Sequence, residues 1–308
     1  MDIADFLHRH GEIARSSTLL RHGASRRDIA AAVQHDEITR VMSGWVATPK
    51  ADAEQIIAVR SGGRLGCISA LRRWGLWGAD DTRPHLAMPL HGRRLPSFTV
   101  PIRATAAVPH PHSPLTVDTR PRLGAPVRHW SARAADDELD WIVEPVEAIR
   151  QVLQCQDIEQ AIACVDSALH HDAISLTDWL TIAHDLPPSR SVCRNLVDAR
   201  ADSGLESRIR VRLVRLGHRV DVQVPLPGAS DLDLLVDDRV GLDLDGDSFH
   251  STPEQRKRDL AKGLISMKQG IPTVRAGYSH ALNNWDIVYV ALTRLLALTA
   301  PHTGDVRR

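Results

Sequence analysis

The chain has 308 residues, 43% of them hydrophobic and 25% charged, with a formal net charge of zero. Length and composition fit an ordinary globular protein of two or three domains. The neutral total excludes a globally basic nucleic-acid binder, although a local basic patch can hide within it. Cys67, Cys155, Cys164 and Cys193 show no CxxC spacing, which argues against zinc ribbons and disulfide scaffolds and sets the expectation of a reducing cytoplasm. The sixteen histidines are scattered, with no HExxH pair. No basic segment leads an apolar run at the start, and no run approaches transmembrane length. No membrane partner is expected.

In chain order, residues 2–10 place Ile3, Phe6 and Leu7 on one helical face, and Gly11 ends that helix. Arg15 to His22 reads as a second helix stopped by Gly23. Ser25 with Asp28 has the spacing of a capping box that opens a third helix burying Ile29, Ala32 and Val33. Ile38 to Ala47 alternates around Ser43-Gly44 as a hairpin. Three short helices and a hairpin predict a winged helix-turn-helix over residues 1–50. Its third helix would enter a DNA groove, with Arg26, Arg27, Arg40 and Gln34 as contacts. The plainer alternative is a helical domain for protein contacts whose arginines are solvated surface.

A middle α+β region, 51–200, follows. Helices are expected at 53–59, 67–74, 146–155, 157–170 and 175–185, and strands at 85–89, 97–103 and 127–130. A loop rich in proline and histidine, 109–114, reads as exposed. Trp74, Trp77 and Trp141 read as core. No stretch of this region shows recognisable chemistry by spacing.

From residue 201 to the end the pattern changes. Ser203 and Glu206 open a helix to about Leu216, with Ile209, Leu213 and Leu216 as its apolar face. A strand, 219–224, leads to the stretch Ser230 to His250. Leu232, Leu234 and Val236 interleave with Asp231, Asp233 and Leu235; Val240, Leu242 and Leu244 interleave with Gly241, Asp243 and Asp245. This is a hairpin turning at 237–239. Residues i and i+2 share a strand face, so Asp243 and Asp245 point together, and Asp233 falls opposite 242 or 243. Crowded carboxylates raise one another's pKa unless a cation sits among them, and an all-oxygen cluster suits a hard ion such as Mg²⁺ or Mn²⁺. The alternative is a solvated outer face of an edge hairpin. A basic helix from Thr252, a strand at 271–276 and a closing helix at 281–299 complete an α/β sandwich around a small mixed sheet.

This third region resembles the PD-(D/E)XK nuclease superfamily, in particular its branch related to very-short-patch repair endonucleases (Vsr-like). The likeness rests on Glu206, Asp233-Leu-Leu-Val, Asp243-Leu-Asp245-Gly246, His250, Arg256-Lys-Arg-Asp259, Leu264, Gly270 and Thr273-Val-Arg275. It covers roughly residues 203–300. The resemblance implies a restriction-endonuclease-like fold and Mg²⁺-dependent hydrolysis of DNA phosphodiesters, with RNA as a further candidate substrate. It implies Asp233, Asp243 and Asp245 as metal ligands, Glu206 and His250 as further catalytic groups, and Arg256, Arg258, Lys262 and Arg275 as phosphate contacts. Two departures stand out: Asp243 where the family has glutamate, and Asp245 where the superfamily motif has lysine. The N-terminal segment 11–33, the wing 38–47 and residues 60–77 resemble AbiEi-like antitoxins of toxin–antitoxin systems. That likeness implies the alternative function, a non-catalytic DNA-binding regulator carrying a degenerate nuclease fold.

Overall fold

The computed structural model describes residues 1–78, 80–90, 125–131, 139–245 and 253–300. It is a mixed α/β structure whose packing divides it into two compact units, Met1–Asp157 with His171–Ser191, and Ile158–His170 with Val192–Arg308.

The first unit opens with α1 (Ile3–Arg9), β1 (Ile13–Arg15), α2 (Ser16–Arg21), α3 (Arg26–Gln34), β2 (Thr39–Met42) and β3 (Trp45–Ala47). The strands form an antiparallel sheet in the order β1-β3-β2. This is the order of a winged helix. Its core joins Phe6, Leu7, Leu19, Ile29, Ile38 and Val46. The capping box of α3 is formed: Asp28 N–H donates to Ser25 Oγ at 3.1 Å, and Ser25 N–H to Asp28 Oδ2 at 2.8 Å. β1 was not anticipated. Gly11 and Glu12 both take positive φ and reverse the chain after α1, which lets Ile13–Arg15 pair with β3.

The unit continues through α4 (Ala53–Arg60), β4 (Arg64–Leu65), α5 (Cys67–Arg73), β5 (His85–Pro89), β6 (Val127–Ser131) and α6 (Pro145–Cys155). β4 and β5 pair antiparallel and β5 and β6 parallel. The expected strand at 97–103 and the loop at 109–114 lie outside the described residues.

Residue 50, expected to separate two domains, does not divide compact units. Trp141, 1% exposed, donates from its indole N–H to the His10 carbonyl at 2.9 Å. A Cβ on Gly11 would come within 2.3 Å of the Trp141 ring, so only glycine fits there. Gln55 donates to the Gly11 carbonyl at 2.6 Å. The winged helix and the region after it therefore share one packed unit.

Helix α7 (Ile158–His170), expected with the middle region, packs in the second unit, while α8 (Leu176–His184) belongs to the first. A 3-10 helix, Pro188–Asn195, precedes α9 (Gly204–Arg215). The buried Asp166 of α7 pairs with the buried Arg210 of α9 at 2.8 Å. A one-sided loss of such a pair leaves an uncompensated charge, so the two helices are fixed together.

β7 (Val220–Val224), β8 (Leu232–Val236), β9 (Val240–Asp245) and β10 (Thr273–Gly277) form one sheet in the order β10-β9-β8-β7. β8 pairs antiparallel with both β7 and β9, whereas β9 and β10 run parallel across helix α10 (Pro253–Lys268). Asp237 and Asp238 both have positive φ, and Arg239 N–H donates to the Val236 carbonyl at 3.1 Å. That is a type I′ turn, whose twist suits a hairpin.

Leu234, Val236, Val240 and Leu242 pack with α9, α11 (Tyr278–Asn283) and α12 (Trp285–Leu298). The single closing helix expected at 281–299 is two helices, because Asn284 leaves helical geometry and caps the second. Leu216, expected on the apolar face of α9, is the half-exposed residue that ends it.

Candidate active site and nucleic-acid interface

Alternation on β8 and β9 sends Leu234, Val236, Val240 and Leu242 to the core and Asp233 and Asp243 to the opposite face, where Lys262 of α10 lies. Leu234 pairs with Leu242 and Val236 with Val240. One step outward along that register sets Asp233 opposite Asp243. Asp233 Oδ2 accepts the Leu244 N–H at 2.6 Å, which ties this carboxylate across the hairpin. Asp243 is 8% exposed.

Burial is the largest influence on Asp233. It pushes the carboxyl up to about 7, and the charges of Glu206 and Asp243 push the same way. The Leu244 N–H and Lys262 oppose the shift without cancelling it. This is the behaviour of like charges held close in a poorly solvated place.

Lys262 of α10 was expected on an open phosphate-binding face. Its ammonium instead lies 2.9 Å from Asp243 Oδ1 and 3.7 Å from Asp233 Oδ1. A lysine of α10 thus reaches both carboxylates. Among the described residues no hydrogen bond reaches the buried Asp243 Oδ1. Lys262 neutralises it by proximity while lying off the hydrogen-bonding direction.

The other expected groups are arranged differently. Asp245 shares a strand face with Asp243, but both of its oxygens accept from Arg275, at 2.6 and 2.7 Å. Arg275 also pairs with Asp259 at 2.7 Å. Glu206 is buried and its carboxyl is raised, chiefly by that burial. Its oxygens accept from Ser203 Oγ at 2.8 Å, Gln223 Nε2 at 2.7 Å and Asp202 N–H at 3.1 Å. Its cap role is therefore realised. Asp233, Asp243 and Asp245 do not close to metal-ligand spacing as a threesome, because Asp245 is turned into its arginine pair.

Arg258 is exposed on α10. His250 and the side chain of Arg256 lie outside the described residues. On the winged helix, Arg26 and Arg27 at the start of α3, Gln34 at its end and Arg40 on β2 are all exposed. Asp28 beside them is held below the usual carboxylate range, first by the Ser25 N–H and then by its hydroxyl.

No protein-family model matches the chain, and no curated protein matches it.

The site is defined by its geometry. Sequence patterning placed Asp233 and Asp243 together but missed the insertion of Lys262 between them, since a lysine on a basic helix carries no mark of the direction it faces. It also missed a Cys/His group in the first unit. Cys67, His85, His129 and Cys155 meet there although His85 and His129 stand 44 residues apart, and no local spacing announces the meeting.

Proposed function

We propose that the second unit is a metal-dependent endonuclease acting on DNA phosphodiesters, with the winged helix of the first unit as its DNA-binding module. The observation that carries this reading is the buried Asp243 Oδ1, which no hydrogen bond reaches among the described residues and which lies on the same sheet face as an Asp233 carboxyl raised to about 7. A hard divalent cation supplies what this pair lacks.

Asp233 and Asp243 would hold Mg²⁺ or Mn²⁺. When bound, such an ion polarises a phosphoryl oxygen and lowers the pKa of water. Lys262 Nζ, 2.9 Å from Asp243, sits where it can orient an attacking water or compensate charge on the phosphate. Glu206, anchored by Ser203 and Gln223, keeps a negative field behind Asp233. Asp245 positions Arg275, and Arg275 and the exposed Arg258 face phosphates. RNA remains a candidate substrate, since a 2′-hydroxyl reader is not identified among these residues. A reducing cytoplasm suits four cysteines that form no disulfide, and no described helix is long and apolar enough to cross a membrane.

Two ion pairs favour the second reading, a DNA-binding regulator of antitoxin type with a retired site. Lys262 already neutralises Asp243, and Arg275 occupies Asp245. Incubation with supercoiled plasmid, with and without Mg²⁺ or Mn²⁺, separates the two. The nuclease reading expects metal-dependent nicking that falls about a hundredfold or more in Asp233→Ala and Asp243→Ala. Duplex binding without nicking, in any metal, would favour the regulator.

A further inference from the structure

We infer that the first unit carries a closed metal site for a zinc-class ion, built from Cys67, His85, His129 and Cys155. It is separate in residues and chemistry from the carboxylate site of the second unit. One donor atom from each of the four side chains lies within 4.8 Å of every other. Cys67 is the first residue of α5, His85 begins β5, His129 is in the middle of β6, and Cys155 ends α6. The fold thus brings four separate elements to one point.

The spacings suit a tetrahedral ion. His85 Nδ1 lies 3.1 Å from His129 Nε2 and 3.8 Å from Cys155 Sγ. Ordinary zinc bond lengths in a tetrahedron require about 3.3 Å between two nitrogens and about 3.6 Å between nitrogen and sulfur. The donor set of two thiols and two imidazoles is that of a structural zinc centre, whereas a hard ion such as Mg²⁺ prefers oxygen.

The surroundings are those of an oriented ligand. His85 is fully buried, and its outer nitrogen, Nε2, lies 3.3 Å from Asp81 Oδ2. Donation of that N–H to the carboxylate fixes the tautomer whose Nδ1 lone pair points at the cluster, as in carboxylate–histidine–metal arrangements. Asp81 is itself gripped by Arg83, through Nε at 3.0 Å and Nη2 at 2.6 Å. Cys67 is fully buried and holds a φ of +49°, a left-handed conformation that residues other than glycine adopt at a cost. Its N–H is tied to Gln151 Oε1 at 2.8 Å. A Cβ on the preceding Gly66 would come within 2.9 Å of the Ala87 backbone, so glycine is what lets the start of α5 approach β5.

All four positions belong to the protein, so the ion is structural, clamping α5 and α6 to the sheet. The test is elemental analysis of the full chain after desalting, with cobalt substitution as a second readout. Expected are one zinc per chain and, with Co²⁺, the intense visible bands of a tetrahedral site with sulfur-to-cobalt charge transfer. The charge-transfer band halves in Cys155→Ser. Asp81→Asn, which leaves all four ligands in place, lowers zinc affinity 10- to 100-fold in competition with a chromophoric chelator. Asp243→Asn leaves zinc content unchanged. Wild-type protein holding no zinc, showing no tetrahedral cobalt spectrum and having Cys67 disulfide-bonded to Cys155 would overturn the assignment. So would zinc retained at full occupancy in the Cys67→Ser/Cys155→Ser double variant.

Discussion

Asp233 is the residue on which the proposed cation site turns. With its carboxyl raised to about 7 from an ordinary 3.8, the native protein keeps a proton that the unfolded chain has released. Stability from this group is then fully present below about pH 4, falls as pH rises through the window from about 4 to about 7, and stays low above it. Each pKa unit corresponds to about 1.4 kcal/mol, and relaxation and residual solvent reduce the total to the order of 2 kcal/mol. Asp233→Asn cannot ionise and keeps an oxygen for the Leu244 N–H. Without divalent metal, the variant should match wild type near pH 4 and be more stable at pH 8 by ~2 kcal/mol in urea unfolding. Equal stability at both pH values would remove the claim that this carboxylate is held under electrostatic strain. Added Mg²⁺ should reverse the order, because only a ligand that binds the native wild type stabilises it.

At the scale of elements, period-two alternation made β8 and β9 readable, and the Asp237-Asp238 turn fixed the register that pairs Asp233 with Asp243. The capping box of α3, the strand His85–Pro89 and the basic helix α10 were equally plain, because each carries its signal within a few residues. The break at Asn284 was marked by two adjacent asparagines and was read through. The side-chain directions on α10 were not legible: only packing against the sheet decides that Lys262 turns inward while Arg258 faces solvent. The same holds for the Cys/His cluster, where parallel pairing of β5 with β6 creates the proximity. On the winged helix, Arg26 and Arg27 are both exposed at the start of α3. If that helix meets DNA, Arg26→Ala and Arg27→Ala should each weaken duplex binding and flatten the dependence of log K on log salt by about 1. An unchanged salt slope in the double variant would assign this surface to protein contacts.

For the molecule as a whole, zero net charge requires any nucleic-acid affinity to come from local patches and not from the global field. Packing, not sequence composition, decides how the chain is divided. Trp141 seals the winged helix into a larger first unit, and the Asp166–Arg210 pair holds α7 in the second. Neither is visible from linear spacing, since both join residues far apart in sequence. In the second unit, the face carrying Asp233 and Asp243 is the proposed divalent-cation site. It is tested most directly by titrating the full chain with Mn²⁺ at pH 8 and following free Mn²⁺ by electron paramagnetic resonance, beside Asp243→Asn. The expected result is Mn²⁺ bound at a site that Mg²⁺ competes for and that is lost in the variant. Wild type and Asp243→Asn binding Mn²⁺ alike, or neither binding it, would contradict it.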